Sequence, residues 1–200
     1  MAKRYSIIAV TINESGALLK LPSVTTILNP WSDFSQIRPE VLELAADRGE
    51  LVHSLLARHL LGLEIFPGEI TPEVMGHFNS GRRWADKYLL RTVLVERELV
   101  DEDWNYIGHP DLIGELRGDQ GVLSLWDWRG ATYQITHAVQ LGGYYGLARK
   151  AGYDVRRVGP LYLRKDGKVP NVSKHEPTSP REQDSAVLRC ALTVWWRFNP

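Results

Sequence analysis

The stretch Gly108–Arg129, GHPDLIGELRGDQGVLSLWDWR, decides how this chain is read. Asp111 to Leu116 and Val122 to Arg129 are rich in strand-forming residues and flank Arg117 to Gly121, which has the composition of a turn. The pattern predicts two strands joined as a hairpin. Asp111 opens the first strand and Asp127 closes the second, so the hairpin can bring the two carboxylates together. Side chains alternate along a strand, placing Leu125, Asp127 and Arg129 on one face and Trp126 and Trp128 on the other. The tryptophans can then be buried while Asp127 and Arg129 face a cleft. Pro110 cannot continue a ladder from a central position, so it separates this hairpin from the strand before it. Two close carboxylates repel and raise each other's pKa unless a cation sits between them. Hard oxygen ligands of this kind suit Mg²⁺ or Mn²⁺. Singly, each piece has a plainer reading: a turn at Gly108–Asp111 and an exposed Asp–Arg pair at a strand end.

Outward from this hairpin the character of the chain changes. Toward the N-terminus, Tyr5 to Thr11 and Ala17 to Leu21 predict a hairpin turning at Asn13–Gly16, and Val24 to Leu28 a short segment opened by Pro22 and Ser23. A long helix follows, with Pro39 in its first turn and the stripe Val41, Leu44, Ala45, Val52, Leu55 and Leu56 at helical spacing. Gly62 and Pro67-Gly68 close it. Thr71 caps a second helix that runs to about Leu90. Val93 to Val100 alternates as a strand, Asp101 to Asp103 turns, and Trp104 to Gly108 is a further strand. After the hairpin, Ile135 to Lys150 reads as a helix that tolerates Gly142 and Gly143. Val158 to Arg164 reads as a strand that turns at Asp166-Gly167 into a short partner. From Pro180 a terminal helix is expected, with Val187, Ala191, Val194 and Trp195 on one face. The order predicts one mixed α/β domain over residues 1–200.

Composition narrows the function classes. Apolar residues make up 44% and charged residues 24% of the 200 residues, as in a soluble globular protein. The chain has 24 Lys plus Arg against 24 Asp plus Glu, so any nucleic-acid contact must come from a local stripe rather than from net charge. Arg82, Arg83, Lys87 and Arg91 form one candidate stripe; Arg156, Arg157, Arg164, Lys165 and Lys168 form another. Either can equally be a solvated charged face. The single cysteine, Cys190, excludes an intrachain disulfide and any cysteine-held zinc or iron–sulfur site, and its apolar surroundings suggest a small core residue. No membrane span is expected, and no signal-peptide run precedes Thr11 and Asn13, so a cytoplasmic location is the default.

Two helical motifs complete the candidate set. His53 lies in Arg48-Gly49-Glu50-Leu51-Val52-His53, one helical turn after Gly49, whose lack of a side chain leaves room for close approach. Gln140 and Tyr144 are also one turn apart and face the same way. Each has a structural alternative, a packed histidine and a polar pair at the edge of the core.

In order along the chain, Arg48-Gly49…His53, Gly108…Asp111, Asp127-Trp128-Arg129 and Gln140…Tyr144 resemble the motifs of the RecB-like branch of the PD-(D/E)XK nucleases. Leu21 to Leu28, LPSVTTIL, is similar to the N-terminal segment of the phage and mitochondrial exonucleases of that branch. The resemblance covers about residues 20–165. It implies a restriction-endonuclease-like α/β fold: a mixed sheet, formed by an antiparallel meander plus a crossover strand, flanked by helices. It implies a Mg²⁺- or Mn²⁺-dependent deoxyribonuclease, expected to be an exonuclease of DNA replication, recombination or repair acting on single-stranded DNA or duplex ends. A phage-encoded member would work in the host cytoplasm. His53, Asp111 and Asp127 would bind the ion, with the backbone carbonyl of Trp128 as a further ligand, and a metal-activated water would hydrolyse the phosphodiester. Gln140 and Tyr144 would orient site groups or touch the DNA backbone. Glu96 and Glu115 are outer candidates, with the plain reading of strand carboxylates favoured. The chain departs from the family at Arg129, which stands where the motif has lysine; arginine is larger, planar and permanently charged. It therefore reads either as a nuclease or as a DNA-binding domain of the same fold with impaired catalysis.

Overall fold

A computed structural model describes residues 10–12, 18–32, 34–130, 134, 136–170 and 182–199. The chain order is β1 (Val10–Ile12), β2 (Leu18–Lys20), α1 (Val24–Leu28), α2 (Pro39–Leu60), α3 (Pro72–Tyr88), β3 (Leu89–Val95), β4 (Leu99–Asp101), β5 (Tyr106–Gly108), β6 (Leu112–Leu116), β7 (Leu123–Arg129), α4 (Thr136–Lys150), β8 (Val155–Tyr162) and α5 (Glu182–Phe198). Four strands form a mixed sheet in the order β3-β6-β7-β8. β3/β6 and β6/β7 are antiparallel; β7/β8 is parallel, with α4 as the crossover.

The alternation expected along Leu125–Arg129 organises the two cores. Leu125, with Ile113 and Val158, faces α1, α4 and α5, packing among Val24, Ile27, Leu147, Leu188 and Leu192. Trp126 and Trp128, with Leu112 and Leu161, face α2 and α3, among Val52, Leu55, Leu56, Phe78 and Trp84. The sheet is thus buried on both faces between helical layers, the arrangement a parallel crossover demands. Gly142 and Gly143 have a packing reason. A Cβ on Gly142 would fall 2.6 Å from the Asp184 carbonyl carbon, and one on Gly143 2.5 Å from Leu188 Cδ2, so the pair lets α5 lie directly on α4.

Several local expectations change. Val93 to Val100 is not one strand: β3 stops at Val95, Glu96 adopts φ +43°, and β4 pairs with β5 as a separate two-stranded ribbon. The meander is therefore interrupted, and β6 returns to β3 directly. Trp104 lies in the turn before β5 rather than in a strand. α3 ends at Tyr88, close to the expected Leu90, where β3 begins at once. The last sheet strand is shifted toward the N-terminus relative to Val158–Arg164, matching the register of β7. The chain turns at Lys165-Asp166, and its short partner strand is absent through residue 170; residues 171–181, with Pro180, lie outside the described set. β1 pairs with β2 as expected, while Tyr5 to Ala9 and the turn at Asn13–Gly16 also lie outside it.

Burial also revises two helix faces. In α2 only the second half of the stripe, Val52, Leu55 and Leu56, is buried; Val41 and Leu44 are exposed because the first half of the helix extends past the sheet. In α5 the buried residues are Ser185, Leu188, Ala191 and Leu192, whereas Val187 and Val194 are exposed. That rotation leaves Cys190 exposed rather than in the core. Beside Gly49 the space is open: a Cβ there would meet nothing within 4 Å.

Candidate functional site

Three adjacent strand ends converge at one edge of the sheet. The β3/β6 register pairs Val95 with Leu112, and one step on, the Glu96 N–H donates to the Asp111 carbonyl at 3.1 Å. The β6/β7 register pairs Leu112 with Trp126, so the next step sets Asp111 across from Asp127. Directly opposed residues share a face of the sheet. Glu96, Asp111 and Asp127 are thus gathered by strand pairing alone. The Trp128 N–H donates to Asp111 Oδ2, which fixes that carboxylate at the strand end.

His53 reaches this edge from α2. Its Nδ1 lies 3.0 Å from Glu96 Oε1 and 3.3 Å from Asp111 Oδ1. Its ring stands edge-on to Trp128, with centroids 5.4 Å apart and planes at 85°. Burial disfavours the imidazolium, but Asp111 and then Glu96 outweigh it, so the His53 pKa is raised well above 6.5. Ligand atoms of His53, Glu96 and Asp111 all lie within 4.8 Å of one another, a grouping of one imidazole nitrogen and two carboxylate oxygens able to converge on a cation. Glu96 is raised mainly by burial, and Asp111's charge adds to this against the pull of His53.

Asp127 belongs to the other side of the same edge. Its buried carboxylate contacts Arg129 Nε. Burial pushes the Asp127 pKa up; Arg129 pulls against it and Asp111 pushes with it. Arg129 Nη2 is buried without a hydrogen-bond partner among the described residues. Behind this pair, Gln140 Nε2 donates to the Tyr144 hydroxyl at 2.9 Å, both residues being buried on α4. Burial, with Asp127 and Asp111 adding to it, raises the Tyr144 phenol far above its usual range, so the hydroxyl stays neutral.

His53, Asp111, Asp127, Arg129, Gln140 and Tyr144 therefore lie at one edge, in two subgroups. His53 and Asp111 are joined by Glu96, for which the plain strand reading had been favoured. Asp127 contacts Arg129, and its charge reaches Tyr144 of the Gln140–Tyr144 pair. Nothing in the sequence around Glu96 marks it; its role depends on where β3 stops. Glu115, at the far end of β6, keeps its plain reading: Gly121 N–H donates to Oε1 at 2.6 Å and Arg91 pairs with Oε2 at 3.3 Å.

A second feature adjoins the cluster. A cavity of about 160 Å³ is lined by Arg48, Gly49, Val52, His53, His77, Gly130 and neighbours. His77 was not singled out by sequence, although it interrupts the apolar face Val74, Phe78, Trp84 of α3. The basic stripes are largely paired with local acids: Arg82 with Asp86, Arg91 with Glu115, Arg156 with Asp154, Arg157 with Asp119, and Arg164 with Asp166. No helix among the described residues is long and apolar enough to cross a membrane. No protein-family model matches the chain, and no curated protein matches it.

Proposed function

We propose that this chain is a divalent-metal-dependent deoxyribonuclease with a restriction-endonuclease-like core, of the PD-(D/E)XK type. The observation that carries the reading is the convergence of Glu96, Asp111 and Asp127 on three neighbouring strand ends with His53 closing over them. Carboxylates packed this closely repel one another unless positive charge offsets them, and the donor set of two carboxylate oxygens and an imidazole suits one Mg²⁺ or Mn²⁺. His53, Glu96 and Asp111 would hold that ion, with Asp127 added when its pairing to Arg129 is exchanged. When bound, such an ion supplies positive charge to the scissile phosphate and acidifies a water. The Trp128 N–H orients Asp111. The neutral Tyr144 hydroxyl, held by Gln140, sets the polar wall behind Asp127. Arg129 supplies a fixed positive charge in the position where the motif has lysine. DNA is the proposed substrate, acting in replication, recombination or repair.

One observation favours a second reading. The Arg129–Asp127 contact occupies the carboxylate that the metal would need. A domain held in that pairing would bind DNA and cleave it poorly. Turnover separates the readings. End-labelled single- and double-stranded DNA should be cleaved with Mn²⁺ or Mg²⁺, and Asp111→Asn should abolish cleavage while sparing binding. Binding without cleavage selects the second reading; neither binding nor cleavage at low salt rejects both.

A further inference from the structure

The cavity beside the acidic cluster has a floor that ordinary packing does not explain. His77 is 4% exposed, and its buried Nε2 has no hydrogen-bond partner among the described residues. A buried imidazole nitrogen left unpaired is costly, so a polar atom of a ligand is the natural partner. The cavity opens at Gly49 and Gly130: a Cβ on Gly49 meets nothing within 4 Å, and one on Gly130 would sit 3.8 Å from His77 Nε2. Arg48 lines the mouth and has no carboxylate partner among the described residues. The charges of Arg48 and Lys165 both reach His77 and, after burial itself, hold its pKa below 6.5. Val52, Ala45 and Leu163 make the remaining wall apolar. A deep polar donor, a guanidinium at the mouth and a positive local field are the chemistry that recognises a phosphoryl group.

We infer that the cavity between α2 and α3 is a phosphoryl-binding subsite, in which His77 Nε2 donates to a phosphate oxygen and Arg48 neutralises its charge. Resting on the nuclease reading, that phosphate is a strand phosphate beside the one presented to the acidic cluster, because His53 forms both the cavity wall and the cluster's edge. The subsite would hold the strand in register while Asp111 and Asp127 face the bond to be broken.

The test reads the His77 ring Nε2 resonance by NMR in the whole chain, with EDTA present so that no strand is cut. Inorganic phosphate, a 5′-phosphorylated oligodeoxynucleotide and its 5′-hydroxyl counterpart are titrated separately. Saturable movement of the His77 signal is expected. Arg48→Gln should weaken the response about ten-fold. Gly49→Leu, which projects into open space rather than into a neighbour, should block it while leaving the fold intact. A larger response to either oligodeoxynucleotide than to inorganic phosphate supports a strand phosphate. An equal response to free phosphate overturns the strand assignment. A His77 signal unmoved by all three, or moved equally in Gly49→Leu, overturns the subsite. Cleavage is not part of this readout, so failure of the nuclease reading would appear separately, as absence of turnover with Mn²⁺.

Discussion

Arg129 and Asp127, two residues apart on β7, point the same way and form an ion pair at the sheet edge, beside Asp111, with the carboxylate buried and the guanidinium partly so. Alternation along the strand makes the contact possible, while burial of the Asp127 carboxylate outweighs the pull of Arg129 and leaves its pKa raised to about 7. The same contact places the guanidinium where a smaller donor would leave space for water.

Arg129→Lys is therefore expected to raise Mn²⁺-dependent DNA cleavage by about ten-fold or more, in the range of a positioning or acid–base contribution. Affinity for DNA should hardly change, since one positive charge replaces another. Rates measured side by side on one labelled duplex decide this. Equal rates would make Arg129 a working substitute for lysine.

Divalent metal should stabilise the fold by mass action. Millimolar Mn²⁺ is expected to raise Tm in the parent chain and much less in Asp111→Asn or Glu96→Gln. The Glu96 variant is the sharper one, because only its position at the end of β3 puts it in the cluster. A full Mn²⁺ response in Glu96→Gln would remove that residue from the ligand set.

The metal-free protein should carry histidine contributions of opposite sign, from His53, whose pKa is raised, and from His77 and His137, whose pKa values are lowered. His53 has a raised folded pKa, so its stabilisation is complete below its unfolded value of 6.5 and fades as pH climbs through the folded value. His137 is pushed down to about 4 by burial and then by Arg129. Between pH 4 and 6.5 the unfolded chain binds the His137 proton that the folded chain refuses, so stability falls as pH is lowered through that window. Tm profiles in EDTA should become shallower at acid pH in His137→Asn, where His77 still contributes, and flatten at higher pH in His53→Asn. An unchanged acid limb in His137→Asn would show that this histidine is not what titrates.

Two glycine substitutions should move stability in opposite directions. Gly49→Ala adds a methyl where nothing lies within 4 Å, inside a helix, and should stabilise by about 0.5–1 kcal/mol. Gly142→Ala drives a methyl into the α5 backbone at Asp184 and Ser185 and should destabilise by about 1–3 kcal/mol. Urea unfolding of both variants checks the sign; a neutral Gly142→Ala would mean that α5 shifts freely on α4.

Tyr144→Phe removes the acceptor of the Gln140 amide while keeping the ring. Leaving that buried N–H unpaired should cost about 1–3 kcal/mol in unfolding free energy. Gln140→Leu with Tyr144→Phe should recover part of the loss. If the single variant is as stable as the parent, the pair is not a stabilising one.

Sequence by itself determined the features that depend on neighbours along the chain. Strand alternation settled that Trp126 and Trp128 share a face opposite to Leu125, Asp127 and Arg129, and the turn at Arg117–Gly121 brought Asp111 opposite Asp127. Only the tertiary structure decided the features that depend on where elements stop and how they rotate. β3 ends at Val95, and that break, not any local motif, aims Glu96 at His53. α2 runs past the sheet, so half of its apolar stripe stays exposed. α5 turns a different face to the core than its periodicity suggested, which leaves Cys190 at the surface. His77 carries no signal in the sequence; packing buries its Nε2 without a partner among the described residues. Periodicity records that a face is apolar. It does not record which length of that face another layer covers, because coverage is set by contacts between residues far apart in the chain.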